Sequence, residues 1–267
     1  MDRDLGGEGE LGRVETRDLA DDAPGLLRDA PPDVLAPIDA SAPVSGHVVA
    51  PPTHTSIAES PEHDWSAAAT LLFPLLRPPG THGIPVTELD EAALAADASR
   101  SHSQPLLDEG PIDICVVYAM KGEGFDVIVN ADHLVSWGVT VADIQDAALG
   151  NLATWSASAA WTDEVSGERR LISSDTGDGW DASRILLPDV RERLGAELGG
   201  AGRVLIGLPE RHLLVAGALR PDDAEFATLF AEFVLEQSGA ADEPVDRRIF
   251  ELVGGRLVVF DGTPAGV

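Results

Sequence analysis

Every Phe, Trp and Tyr in this 267-residue chain lies at or beyond Trp65. A folded core draws most of its stability from burying large apolar side chains, so this distribution confines the core to the part of the chain from about Trp65 onward. The preceding stretch is rich in Asp, Glu, Gly, Pro and Ala, and Pro31-Pro32, Pro37, Pro43, Pro51-Pro52 and Pro61 interrupt any long helix. Such a segment cannot bury enough apolar surface to offset its chain entropy. Residues 1–63 are therefore expected to form a disordered acidic Pro/Ala-rich arm, and residues 64–267 a single α+β domain. Val48-Val49-Ala50 is the kind of short patch in the arm that could dock on a partner or on the domain itself.

Along the rest of the chain the hydrophobic period alternates between that of a helix and that of a strand. Residues 66–73 read as a short helix stopped by Pro74, and Pro78-Pro79-Gly80 as a breaker. Thr87-Glu88-Leu89-Asp90 has the form of a capping box with Asp in place of Glu, predicting a weak helix through Ala96. Residues 98–110 read as loop. Residues 112–118 are nearly all apolar and rich in β-branched side chains, which predicts a central strand. A turn over 121–124 returns it as a hairpin through Phe125, Val127 and Val129. Asp132 is expected to cap a short helix that Gly138 ends. Thr140 opens the next, with Val141, Ile144, Ala148, Leu152 and Trp155 on its apolar face.

Residues 156–180 are less regular, with a short strand at Arg170-Leu171-Ile172. Leu186, Val190, Leu194 and Leu198 recur every four residues on a helix with Pro188 in its first turn. Strands at 204–206 and 213–215 flank a turn at Leu208-Pro209-Glu210-Arg211. Pro221-Asp222-Asp223 starts a helix whose apolar positions are Phe226, Leu229, Phe230, Phe233 and Val234. Residues 249–252 and 257–260 form a third hairpin. Hairpins separated by helices predict an α+β fold: a mainly antiparallel sheet with helices packed on it.

Forty-six acidic against 18 basic side chains give a formal net charge of -28. Such a chain repels nucleic-acid backbones and anionic membrane surfaces, so neither is an expected partner. No 18-residue apolar run is present, which predicts no transmembrane helix. The single cysteine, Cys115, and a first segment without a basic, then apolar, leader point to the cytoplasm. Cys115 lies in an apolar run and is expected to be an inert buried thiol. The seven histidines show no metal-binding spacing, and no Walker loop or nucleophile elbow occurs. No catalytic residue, metal or cofactor is therefore assigned.

From Val116-Val117-Tyr118 through Asp132-His133-Leu134, Trp137-Gly138-Val139, Asn151-Leu152 and 181–187 to the segment 204–211, the chain resembles the YtpQ-like family of bacterial proteins, whose function is unknown. The resemblance covers about residues 112–217 and departs from the family at His212, where an acid is expected after the Arg. It implies a cytoplasmic bacterial protein and supplies no substrate, cofactor or reaction.

The polar residues that stand out are Asn151, Asp181, Ser183, Arg184 and Arg211. Asp181-Ala182-Ser183-Arg184 sits just before a helix, where free N–H groups and a guanidinium could hold a carboxylate or phosphate. Alternatively, it is a capping turn in which Asp181 pairs with Arg184. Arg211 could reach the same anion or stand exposed in a turn. Asn151 could tie its helix to a loop. The leading expectation is a non-catalytic binding or scaffold protein with a protein partner. The alternative is an enzyme or small-anion binder centred on Asp181, Arg184 and Arg211.

Overall fold

The computed structural model describes residues 60–97, 101–122 and 124–262, so most of the expected arm lies outside the described residues. The described chain starts with a turn at 60–63 that lies against a helix further along. There the Trp137 Nε1–H donates to the Pro61 carbonyl (3.0 Å) and the Ser136 hydroxyl meets His63 Nδ1 (3.1 Å).

The fold is α+β, with its strands divided between two sheets. A short helix α1 (Trp65–Ala68) leads into β1 (Leu72–Arg77). β1 pairs antiparallel with β4 (Cys115–Lys121), which pairs in turn with β3 (Leu106–Glu109) and β5 (Asp126–Ile128). The two-residue β2 (Ile84–Pro85) runs parallel to β3. The second sheet has six strands, β6 (Thr162–Ser166), β7 (Arg169–Ser174), β8 (Arg203–Glu210), β9 (Leu213–Leu219), β10 (Ile249–Val253) and β11 (Arg256–Val259). They lie in the order β11-β10-β8-β9-β7-β6, antiparallel at every step.

Several local expectations change. The helix expected over 66–73 ends at Ala68, and Leu72–Arg77 is a strand that runs through Pro74. Lys121 N–H donates to the Leu71 carbonyl, which fixes the register so that the backbone groups of Leu72, Pro74 and Leu76 point away from β4. The missing N–H of Pro74 therefore faces the free edge, where a sheet tolerates proline. Part of the loop expected over 98–110 is β3. The strand expected at 112–118 starts three residues later, because Ile112 adopts φ +63° in the turn before it. Asp90, not Thr87, caps α2 (Glu91–Ala96), and Asn130, not Asp132, caps α3 (Ala131–Trp137). Asp132 instead accepts from the His102 N–H (2.7 Å) and the Ser101 hydroxyl (2.8 Å). The irregular stretch before 180 contains the β6–β7 hairpin. β8 continues through Pro209 with a bulge, and its turn is Arg211-His212.

α4 (Val141–Ser156) opens at Thr140 with a reciprocal cap to Asp143, and α5 (Pro188–Leu198) has proline at its start, as expected. Alternation along β8 splits the core in two. Val204, Ile206 and Leu208 join the large core shared with the five-stranded sheet, α4 and α5. Leu205 points to the opposite face, into a smaller cluster with Val215, Leu219 and Ile249 beneath α6 (Ala224–Ala240). α6 sits in a trough made by two glycines. A Cβ on Gly207 would lie 2.5 Å from a Val234 methyl, and one on Gly217 would lie 2.8 Å from the Phe226 ring.

Candidate functional site

The structure gathers four of the five singled-out residues around one 3-10 turn, Ala182–Leu186, and places the fifth along the edge strand that this turn covers. Ser183 and Asn151 both serve that edge. The Ser183 hydroxyl accepts from the Leu76 N–H (3.3 Å), while Asn151 Nδ2 on α4 donates to the carbonyls of Leu72 (2.9 Å) and Ala69 (2.7 Å). These groups flank Pro74 on the side that β4 leaves unpaired, so the edge is closed to further pairing. Asn151 makes no hydrogen bond to the 181–184 cluster; it shares with it only β1.

Asp181 and Arg184 are both fully buried, at 0% exposure. Asp181 does not cap α5. Its carboxylate accepts from the Ser174 hydroxyl (2.6 Å), the Thr176 N–H (3.1 Å) and Arg184 Nη1 (2.5 Å). Arg184 Nη2 also donates to Asp178. Burial alone would push the Asp178 carboxyl up, but the Arg184 guanidinium and the Trp180 N–H together hold it below the usual aspartate value. Arg184 Nε and Trp180 Nε1 are buried donors without an acceptor among the described residues.

Arg211 is mostly buried rather than exposed, because it spans the two sheets. Its guanidinium donates to Asp126 on β5, to Glu243 (3.3 Å) and to the Gly179 carbonyl (2.9 Å), and lies 5.0 Å over the Trp180 ring. Gly179 has φ +89°, and a Cβ there would stand 2.8 Å from Arg211 Nη2, so glycine is needed on both counts. Trp180 stacks on Phe73 of β1 at 4.7 Å, and Arg77 of β1 reaches the same Glu243 (3.2 Å). This is a polar seam between the sheets in which each guanidinium meets carboxylates of the chain itself. The signals at 181–184 and 211 were visible in sequence. The Arg211 partners Asp126 and Glu243 were not, because they are distant acids among 46, and Asp178, only six residues before Arg184, lies in a stretch that reads as loop.

The apolar positions expected on α6 do not all lie in the core. Phe226, Phe230 and Val234 are buried, but Leu229 is 46% exposed and Phe233 39% exposed. Both line a groove of about 920 Å³ beside α6, floored by Leu171 and Val215 of the six-stranded sheet. A smaller groove of about 650 Å³ runs along the other flank, between Ala227, Ala231 and Leu235 of α6 and Ile249 and Phe260. The sequence carried no signal for this, because the five positions follow the ordinary stripe of a helix face packed on a core.

Among the described residues, no group of three or more His, Cys, Asp or Glu side chains is placed to hold a metal ion, and no helix is long and apolar enough to cross a membrane. Cys115 is half-buried at the start of β4. No family model matches the chain, and no curated protein or solved structure matches it.

Proposed function

We propose that this is a non-catalytic binding or scaffold protein that holds a protein partner in the groove beside α6. The observation that carries the proposal is the unfinished layer on the six-stranded sheet. Six strands span about 24 Å at the usual spacing. One helix with its side chains covers about 10 Å of that. Leu229 and Phe233 border the uncovered part and remain in water. Contiguous exposed apolar surface of this kind marks interaction sites. The proposal includes membership of the YtpQ-like family and a place in the bacterial cytoplasm, as the resemblance over 112–217 implies. The charge of -28 supports a partner that is neither nucleic acid nor an anionic membrane.

A photo-crosslinking residue at position 229 or 233 of the full chain, in cells, tests this. A discrete adduct with another polypeptide is expected from both positions and not from position 149, an equally exposed leucine on α4. Adducts no stronger at 229 and 233 than at 149 refute it. The alternative, an enzyme or small-anion binder at Asp181, Arg184 and Arg211, is less well supported by the geometry. Those guanidiniums are matched to Asp126, Asp178, Asp181 and Glu243, and an added anion would have to displace carboxylates already in place.

A further inference from the structure

Resting on that reading of the groove, we infer that its occupant is a basic amphipathic helix of a partner protein, laid alongside α6 so as to finish the layer. Geometry favours a helix. Packed helices lie about 8–10 Å apart, which is about two strand spacings. α6 packs over β8 and β9, so the next helix axis falls above β7 and β6, where the groove is. An apolar stripe on the incoming helix would meet Leu229 and Phe233 from the side and Leu171 and Val215 from above.

Charge selects the kind of helix. Glu164 on β6 and Asp175 after β7 stand exposed on one bank. On the other bank, Glu236 shares the helical face of Leu229 and Phe233, at i+7 and i+3, and is also exposed. The cation that lines the groove, Arg169, is already neutralised by Asp223 (2.7 Å) and Glu225 (2.8 Å). Lys and Arg flanking the apolar stripe of the occupant would face acids on both sides, the arrangement that steers and orients association. A second copy of a chain of charge -28 would set Glu236 and Glu164 against like charges. Residues 1–59 fit no better: they hold twelve acidic side chains against four Arg and no aromatic.

The test uses the full chain and three labelled helical peptides, each about as long as the 17-residue α6 and sharing one Leu stripe, with the remaining positions Lys, Gln or Glu. Fluorescence anisotropy should show the Lys peptide binding best, and less well as salt rises. Phe233→Glu and, independently, Leu229→Glu should each weaken it by about tenfold, the scale of a lost central anchor. Leu235→Glu, on the other flank of α6, should not. The two groove variants add negative charge, so attraction to net charge alone would make binding tighter. Unchanged or tighter binding in both, with thermal melts showing folded protein, overturns the inference. Equal binding of the Gln or Glu peptide overturns the charge argument. A crosslink from 229 or 233 to a second copy, or to an acidic or extended segment of another protein, overturns the inference and leaves the binding reading standing. Absence of any crosslink from those positions removes both.

Discussion

Replacing Arg184 by Met should be among the most destabilising single changes in the molecule. Met keeps an unbranched apolar stem and removes the charge. It leaves Asp181, fully buried, and Asp178, whose side chain is 12% exposed, without their cation. Breaking a buried ion pair from one side costs about 3–5 kcal/mol, because the stranded charge retains its desolvation penalty. For a domain of this size, each kcal/mol moves the melting temperature by about 2–4 °C, so Arg184→Met should melt about 6–20 °C below the parent. Urea unfolding is the assay, with the midpoint falling and the slope unchanged. The double variant Asp181→Asn/Arg184→Met should lose less than the sum of its parts, by about 0.5–3 kcal/mol. The pH dependence carries a signature too. Asp178 in the folded state sits below its ordinary 3.8, so its contribution is present above that value and is lost as pH falls through the lower folded one. Arg184→Met should flatten that acid limb. A loss under about 1 kcal/mol in Arg184→Met, or strict additivity in the double variant, would refute the account of the seam as a set of mutually dependent charges.

Gly207→Ala and Gly217→Ala should each cost about 1–3 kcal/mol by overpacking the trough under α6. Hydrogen exchange should quicken in α6 before it does in α4. Asn151→Ala leaves the carbonyls of Ala69 and Leu72 without their donor and should cost about 1–3 kcal/mol in urea unfolding; no change in stability would argue against its role at the β1 edge. Tyr118 is the one tyrosine in the chain. Burial and the hydrogen bond to Asp108 raise its phenol far above the usual 10.0. Absorbance at alkaline pH should show no tyrosinate until the protein unfolds. Because the unfolded phenol ionises first, stability should fall by about 1.4 kcal/mol per pH unit above about pH 10. Ionisation of the folded protein near pH 10 would contradict this.

At several element ends local chemistry was a sufficient guide, although the caps of α2 and α3 fall on Asp90 and Asn130 rather than Thr87 and Asp132. Thr140 and Asp143 cap α4, Pro188 starts α5, Gly138 stops α3, and the hairpins near 204–215 and 249–260 form as their alternation indicates. Where the outcome depends on which side of a strand faces a neighbour, it was not. Pro74 looks like a helix stop until the register shows its nitrogen on the side of β1 that no strand pairs. The exposed β6, with no buried residue in Thr162–Ser166, carries no hydrophobic alternation to detect and is held by pairing with β7. The polar residues at 181–184 and 211 were recognisable as unusual, yet the carboxylates that meet Arg211 come from segments far along the chain. The same limit applies to α6, since only the width of the sheet beneath it determines how much of its apolar stripe stays in water.

The seam between the sheets also sets an order of events during synthesis. Arg77 and Glu243 are separated by 166 residues and Arg211 and Asp126 by 85. Contacts of such long range form late, after local hairpins and helices. A ribosome that has released β1, β4 and α4 has produced a strand edge and an arginine whose acid is not yet made. Until the stretch around 243 emerges, Arg77 and Arg211 both lack that carboxylate, and a chain cut short before it should be retained by chaperones or degraded rather than accumulate as a smaller folded product.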